Sequence, residues 1–222
     1  LMLIVGARPN FMKVAPLIRG IQQSFEKKFR FILIHTGQHY DPEMSDSFFK
    51  DLEIPEPDYN LGVGSATHSV QTARIMERFE PLCLKEKPDY VVVFGDVNST
   101  LACTLVAVKN HIKVAHVEAG LRSFNRAMPE EINRVLTDQV SDCLFTPDTI
   151  ANANLLNEGI EERRIFRVGD IMIDALHWEL KRATTSDIHV RIGVEKGRPY
   201  GVMTLHRAGN VDDREILTRL MN

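Results

Sequence analysis

The sequence has 222 residues, 44% of them hydrophobic, which is enough to bury a sizeable core. Lysine and arginine number 27, and aspartate and glutamate number 30, so the formal net charge is −3. A mildly acidic chain with dispersed basic residues is not expected to bind nucleic acid, and a small anionic ligand is favoured over a polyanion. No apolar stretch reaches the ~18 residues of a membrane span and no signal peptide is visible, so a cytoplasmic location is expected.

Cysteine and histidine usage points to structural roles. The three cysteines, Cys83, Cys103 and Cys143, form no C-x-x-C pair and lie in apolar surroundings, so buried thiols are favoured over metal or redox roles. His116 alternates with apolar residues in a predicted strand and is interpreted as a core histidine. His68 is given the same interpretation. Without an H-x-x-x-H motif or a cysteine–histidine cluster, no metal site is expected.

Short apolar runs alternate with helical patterns along the chain. The predicted strands are 3–5, 31–34, 91–94, 114–117, 144–145 and 165–168. The predicted helices are 10–25, 42–52, 66–85, 100–109, 130–139, 148–158 and 171–182, with Pro81 expected to kink or end the third one. This alternation implies parallel strands with right-handed crossovers, hence an α/β fold with a doubly wound, Rossmann-like parallel sheet.

The last forty residues differ in composition. Residues 184–198 are polar, charged and weakly periodic, which predicts a linker after an N-terminal domain at 1–183. Residues 200–205 then predict a new strand, and a helix is expected from about Asp212. One strand and one helix cannot bury a core alone, so 199–222 either returns to the first sheet or is the start of a second Rossmann-like domain that has been cut off. The linker composition marks a boundary and favours the second interpretation.

Ligands of open α/β sheets bind beyond the carboxyl ends of the strands. Charged or hydrogen-bonding residues recur in the loops at those ends, namely 6–8, 37–39, 95–100, 118–122, 169–170 and 206–207. The first loop has neither G-x-G-x-x-G nor a P-loop, so no dinucleotide cofactor is predicted. Arg8 and Lys13 beside a helix N-terminus suit a phosphate, although a solvated arginine and lysine at a helix start would look the same.

Carboxylates also gather at this predicted edge. Asp96 follows one strand and could also be a helix N-terminal residue. Glu118 ends an apolar strand, where a stable fold needs no acid. Glu130 and Glu131 open a helix, where the helix dipole favours acids in any case. Arg134 lies one turn further on and can pair with either of them.

Eight motifs resemble, in order and spacing, the non-hydrolysing UDP-N-acetylglucosamine 2-epimerases. They are Gly-Ala-Arg-Pro at 6–9, Lys-Val-Ala-Pro at 13–16, Gln-His at 38–39, Gly-Asp at 95–96, His-Val-Glu-Ala-Gly-Leu-Arg at 116–122, Pro-Glu-Glu-Ile-Asn-Arg at 129–134, Gly-Asp-Ile-Met-Ile-Asp at 169–174 and Thr-Leu-His-Arg at 204–207. Each motif alone is weak, but the set is specific. The family often has Thr where Ala7 stands and Asn where Asp170 stands.

The resemblance implies a two-domain glycosyltransferase-B-like fold, of which this chain is the first half. It implies an isomerase that interconverts UDP-N-acetylglucosamine and UDP-N-acetylmannosamine for surface polysaccharide synthesis. UDP is eliminated to a 2-acetamidoglucal and then re-added, without a redox cofactor. It also implies a homodimer. Because the family's remaining diphosphate- and ribose-binding segment is absent, this chain is expected to be weakly active or inactive by itself.

The resemblance also assigns site residues. The catalytic residues are expected to be Asp96, Glu118 and Glu130, with acid and base unassigned. The residues expected to bind substrate are Arg8, Lys13, Arg122, Glu131, Arg134, His206 and Arg207. A regulatory nucleotide-sugar site would include Gln38 and His39, although Asp41 falls where the family commonly has Gln.

Two other functions fit the same sequence. A glycosyltransferase of the same fold would transfer the sugar to an acceptor and would need no cluster of three carboxylates. A non-catalytic nucleotide-sugar-binding domain would bind UDP through half a cleft, and therefore weakly.

Overall fold

The computed structural model describes residues 1–25, 28–38, 49, 51–195, 197–205 and 208–222. In this part of the chain the strands are β1 Met2–Val5, β2 Ile32–His35, β3 Tyr59–Asn60, β4 Tyr90–Phe94, β5 Lys113–Val117, β6 Cys143–Thr146 and β7 Ile165–Arg167. They form one sheet in the order β3-β2-β1-β4-β5-β6-β7, and every neighbouring pair is parallel. The predicted doubly wound parallel sheet is therefore confirmed.

Helices connect the strands. They are α1 Arg8–Gly20, continued by a π-helical turn at Ile21–Phe25, α2 His68–Glu86, α3 Asn98–Lys109, α4 Pro129–Val140, α5 Thr149–Asn157, α6 Ile171–Ala183, α7 Ile188–Arg191, α8 Ala208–Val211 and α9 Arg214–Met221. Among the described helices, α5 and α9 begin with a side-chain cap. Asp148, for example, accepts a hydrogen bond from the backbone nitrogen of Ala151 at 2.7 Å, which satisfies one free donor of α5.

The sheet is buried on both faces. Alternate residues of β1 enter different clusters, with Met2 and Ile4 on one side and Leu3 and Val5 on the other. Helix α2 covers the first side with the fully buried Phe79, whose removal from water contributes about 1.5–3 kcal/mol. Burial on both faces explains why the strands are continuous apolar runs rather than alternating ones.

The strand order reverses direction between β1 and β4. The chain moves outward from β1 to β2 and β3, then returns to place β4 on the other side of β1. The helices on the two sides leave a crevice at such a switch point, outside the carboxyl ends of the strands. The loops that follow β1 and β4 therefore face a common ligand-binding position.

Helix α2 continues through Pro81, so the predicted end of the helix at this residue is wrong, and the alternative of a kink stays a prediction. Proline cannot donate to the carbonyl four residues earlier, which here belongs to Glu77. Both residues are exposed, so water can satisfy that carbonyl. The buried face of the helix, at Ile75, Phe79 and Cys83, is unaffected.

Two other predictions differ from the structure. Strand β3 was missed because two residues carry no periodicity. Residues 200–205 form no strand, since Val202 and Met203 are 88% and 61% exposed and the described residues provide no neighbouring strand to pair with them. The predicted helix at 42–52 lies mostly outside the described residues.

The chain divides into two compact units, Leu1–Glu179 and Leu180–Asn222. The first contains the whole sheet. The second contains α7, α8 and α9, and Asp213 caps the last of these through the backbone nitrogens of Glu215 and Ile216. Among the described helices, none combines the length and apolar character that a bilayer crossing requires.

Candidate functional site

The loops after β1 and β4 are joined by one buried side chain, Asn10. Its Oδ1 accepts from the backbone nitrogens of Gly6 and Ala7 at 3.1 and 3.2 Å, and its Nδ2 donates to the carbonyl of Phe94 at 2.9 Å. These contacts fix the first turn of α1 against the end of β4. Arg8 is the first residue of that helix and is exposed, so its guanidinium is available to an anion at a helix N-terminus.

A buried ion pair lies next to the loop after β4. Lys13 is 8% exposed, and its Nζ donates to Oε2 of Glu118. Glu118 has a φ of 72°, which is uncommon for a residue with a side chain, and its amide and that of Ala119 both donate to the carbonyl of Phe145 at 3.0 Å. The left-handed turn thus sets where the Glu118 carboxylate lies. Gly95 leaves room for the pair, because a Cβ there would lie 2.8 Å from the lysine nitrogen.

A second ion pair holds Asp96. Its carboxylate accepts from Arg134, which also donates to Glu131 at 3.1 Å. Glu131 accepts in addition from the backbone nitrogens of Ser123 and Phe124 at 2.9 and 2.8 Å. Burial alone would raise the pKa of Glu131, but these hydrogen bonds and the Arg134 charge outweigh it and lower the pKa. Glu131 therefore remains an anion that folds the loop before α4.

Asp96 and Glu130 line one cavity of about 280 Å³. Asn133 supports this wall, since its Nδ2 donates to the backbone oxygen of Asp96 at 2.9 Å. The cavity is built from the loop after β2, the starts of α2, α3 and α4, and the loop after β4. Its polar lining includes Gln38, His68, Asp96, Asn98, Glu130 and Asn133.

Buried amides hold the other cavity walls. Gln71 donates to the carbonyl of Gln38 at 3.1 Å and accepts from Asn98 at 2.8 Å. Gln38 in turn accepts from the backbone nitrogen of Ser99 at 2.9 Å. Sequence reasoning missed Gln71 and Asn98. The helical spacing could have indicated Gln71, because this residue lies four residues before Ile75 and therefore on the buried face of α2.

His116 was interpreted as a satisfied core histidine, and this is confirmed, because the residue is fully buried and both ring nitrogens have polar partners. Nδ1 lies 2.6 Å from Oδ1 of Asp138, and Nε2 lies 2.7 Å from the carbonyl oxygen of Gly95. The ring therefore connects the last turn of α4 to the residue that precedes Asp96. No local pattern in the sequence indicates this connection.

Asp138 is the centre of a buried charge cluster. It accepts from the amide of Gly120 at 3.0 Å and pairs with Arg122 at 2.7 Å, and Arg122 also pairs with Glu158 at 2.6 Å. Burial would raise the pKa of Asp138, but the charge and hydrogen bond of His116, followed by those of Arg122, lower it. The cluster fixes the loop that begins at Glu118.

Two of the residues predicted to bind substrate, Arg122 and Glu131, are held by contacts within the protein. Arg122 is bound between two carboxylates with a side chain 1% exposed, and Glu131 is occupied by its own loop. These contacts favour positioning roles for both residues. His39, His206 and Arg207 lie outside the described residues. Among the residues that are described, no group of three or more His, Cys, Asp or Glu side chains is placed to hold a metal ion.

A doubly wound sheet with paired carboxylates and cations at its switch point defines an α/β protein with a site for a polar, anionic ligand. The family model described as UDP-N-acetylglucosamine 2-epimerase matches residues 23–222. The chain belongs to this family, whose glycosyltransferase-B-like fold has the present sheet as its first half.

Similar proteins include a UDP-N-acetylglucosamine 2-epimerase homolog of Methanococcus maripaludis, 51% identical over 99% of this chain and 60% of the relative. A UDP-2,3-diacetamido-2,3-dideoxy-D-glucuronate 2-epimerase of Pseudomonas aeruginosa is 48% identical over 98% of this chain and 60% of the length of that relative. The crystal structure of Methanocaldococcus jannaschii UDP-GlcNAc 2-epimerase in complex with UDP-GlcNAc and UDP matches with a TM-score of 0.91 and 48% identity, covering 99% of this chain and 60% of that one. The chain thus spans about 60% of the length of these relatives.

Proposed function

We propose that the protein containing this chain is a UDP-N-acetylglucosamine 2-epimerase that forms UDP-N-acetylmannosamine. The observation that carries the proposal is the family match together with two acids, Asp96 and Glu130, on one cavity at the switch point. A third acid, Glu118, lies against Lys13 beside the residue that precedes Asp96.

Inversion at C2 requires its proton to leave on one face and return on the other. The C2 proton is not acidic, so the C1–O bond breaks as the proton leaves. The electron pair of the C2–H bond becomes the C1–C2 double bond of a 2-acetamidoglucal, and UDP departs with the electrons of the C1–O bond. Protonation of the opposite face of C2 and re-addition of UDP at C1 complete the reaction.

This chemistry needs acid and base groups around the sugar and positive charge on the departing diphosphate. Asp96, Glu118 and Glu130 supply the carboxylates. Arg8, exposed at the N-terminus of α1, supplies charge for the diphosphate, and His206 is proposed to do so as well. Lys13 is bound to Glu118, which favours positioning this carboxylate over direct contact with phosphate.

The Pseudomonas aeruginosa relative supports a second substrate for the same reaction class. This relative is 48% identical and is named for UDP-2,3-diacetamido-2,3-dideoxy-D-glucuronate, so that nucleotide sugar is the alternative substrate to UDP-N-acetylglucosamine. The two substrates differ at C3 and C6 but share the diphosphate and the C2 acetamido group, so the same three carboxylates would serve both.

Organisation and regulation complete the proposal. Residues 1–183 form the N-terminal domain, 184–198 a linker and 199–222 the start of the second domain, in a cytoplasmic homodimer that serves surface polysaccharide synthesis. Arg207 joins the substrate-binding residues from that second part. Gln38, which lines the cavity, and His39 contribute to a regulatory nucleotide-sugar site.

The test is proton NMR in D2O with the product of the complete reading frame and each nucleotide sugar in turn. Deuterium at C2, with both epimers present as intact UDP sugars, is the expected result, and the faster of the two exchange reactions identifies the substrate. Asp96→Asn should abolish the exchange. Free UDP with N-acetylmannosamine would indicate hydrolysis, and an unchanged spectrum with both sugars would refute the epimerase and leave a transferase or a binding protein.

A further inference from the structure

The buried histidine His116 connects the two loops that carry proposed catalytic acids. On one side its Nε2 contacts the carbonyl oxygen of Gly95, which precedes Asp96. On the other side its Nδ1 contacts Asp138, which holds the amide of Gly120, two residues after Glu118. One ring thus spans the distance between the loop after β4 and the loop after β5.

The partners of the ring define its protonation state. The carbonyl oxygen of Gly95 can only accept a hydrogen bond, so Nε2 of His116 must carry a hydrogen. Asp138 already accepts from Gly120 and pairs with Arg122, so it is a carboxylate and Nδ1 must carry a hydrogen as well. A histidine with both nitrogens protonated is an imidazolium.

The charges around this imidazolium are balanced within the cluster. Asp138 and Glu158 are negative, and Arg122 and His116 are positive, so the four charges sum to zero. Three of these groups, His116, Asp138 and Arg122, are buried. Burying charged groups is costly, and hydrophobic residues of the same volume often stabilise a core as well or better. Stability alone therefore does not account for the cluster.

Both connected loops need external support. Gly95 and Glu118 have φ angles of 61° and 72°, and the left-handed conformation of Glu118 is held only by surrounding structure. The amide of Gly95 donates to the carbonyl of Val117 at 3.1 Å, so the two loops already share one backbone contact. The imidazolium adds the second connection and thereby fixes the spacing of the loops.

We propose that His116 is a positioning residue, an imidazolium that sets the separation of the Asp96 and Glu118 carboxylates through Gly95 and Asp138. Its relevance to catalysis rests on the proposed epimerase function. It acts through backbone and carboxylate partners and does not touch the sugar. Its protonation state is a property of the fold and can be tested without any activity.

The first test is nitrogen-15 NMR of the histidine rings in the wild-type protein. For His116 we expect two protonated ring nitrogens, because the carbonyl of Gly95 and the carboxylate of Asp138 can only accept hydrogen bonds. A His116 ring with one unprotonated nitrogen would overturn the proposal.

The second test separates the two ring contacts by substitution. In His116→Gln the amide nitrogen can replace Nε2 and still donate to Gly95. In His116→Asn the amide nitrogen can replace only Nδ1, so the contact with Gly95 is lost. We expect the C2 exchange rate of His116→Asn to fall on the order of 100-fold with KM nearly unchanged, and that of His116→Gln to fall much less, because small misplacements of catalytic groups are costly.

Ile75→Val, a conservative change in the core cluster that α2 covers, is the matched control for stability loss. Equal rates in the two His116 variants, or losses no larger than that of Ile75→Val at the same melting temperature, would overturn the positioning role. The NMR chemical shift of the Asp96 backbone amide gives the same comparison without substrate. We expect this chemical shift to change in His116→Asn and to change little in His116→Gln. If the wild type shows no exchange, the epimerase proposal fails, and this shift still tests the positioning of the loop.

Discussion

The two edges of the parallel sheet both carry aspartate and glutamate, but these acids have different partners. At the amino edge, Asp142 accepts from the backbone nitrogen of Val114 at 2.8 Å, and Asp58 accepts from that of Leu33 at 2.7 Å. At the carboxyl edge, Glu118 pairs with the side chain of Lys13. Acids of the first kind complete the backbone hydrogen bonding of strands, which every parallel sheet requires.

At the carboxyl edge Glu118 and Asp96 are paired with side-chain cations, and Asp96 and Glu130 line a cavity. Asp96 pairs with Arg134, and its cavity partner is Glu130. An acid is therefore not a functional signal by its residue type alone. The partner and the position on the sheet distinguish a structural carboxylate from one that can act on a ligand.

The largest expected effect is on activity at the carboxyl edge. Glu118→Gln should lower C2 exchange on the order of 1000-fold, since general acid–base groups contribute at that scale. The amide oxygen can still accept from Lys13, so the melting temperature should change little. Deuterium incorporation followed by NMR measures the rate, and a nearly normal rate would remove Glu118 from the mechanism.

Gly95→Ala should destabilise the fold around the Lys13–Glu118 pair. The new Cβ would combine left-handed backbone strain with close contact to Lys13, at a cost of about 1–3 kcal/mol in unfolding free energy. Gly159→Ala is the matched control, because Gly159 has a φ of 82° but no atom within 4 Å of the added Cβ. Urea unfolding compares the two, and equal losses would show that the contact with Lys13 does not matter.

Asp142→Ala should lower stability and leave activity nearly unchanged, which is the opposite of what we expect for Glu118→Gln. It removes a hydrogen bond at the amino edge, for an expected loss of about 0.5–1.5 kcal/mol in unfolding free energy. The C2 exchange rate per folded molecule should stay within about twofold of the wild type, as for substitutions far from a site. A large loss of exchange in this variant would break the distinction between the two edges.

The smallest expected effect concerns acid stability. The pKa of Glu131 is lowered in the folded protein from its ordinary value of 4.5, so its stabilising contribution is complete above that value and is lost as the pH falls below it. Glu131→Gln should therefore make the unfolding free energy less dependent on pH on the acid side. Urea midpoints measured from pH 7 downward test this, and an unchanged acid slope would contradict the assigned contacts.

Local patterns were sufficient for the sheet and for the position of the site. Apolar runs rich in β-branched residues located β1, β4 and β5, and the strand-end rule placed Asp96 and Glu118 at one edge. Residues 200–205 also contain β-branched and aromatic residues, but the described part of the chain provides no strand beside them, so propensity alone gave a wrong strand there. The effect of Pro81 could not be predicted for a related reason. A helix can continue through a proline when the carbonyl left without a donor is exposed to water, and this depends on which face of α2 is exposed.

Long-range polar contacts could not be predicted in the same way. His116 and Asp138 are 22 residues apart, and nothing in either local pattern indicates that they meet. Likewise, Lys13 was expected near phosphate, but its contact with Glu118, 105 residues away, depends on the strand order. Predicting such pairs requires the register of the sheet first.

The most direct test of the account is hydrogen–deuterium exchange of the backbone amides with and without UDP-N-acetylglucosamine, on the product of the complete reading frame. The account predicts slower exchange in the carboxyl-edge segments 95–98, 118–122 and 129–134. It predicts no change in the amino-edge segments 88–90 and 141–143 of the same sheet. Protection at the amino edge, or none at the carboxyl edge with saturating ligand, would contradict the proposed site.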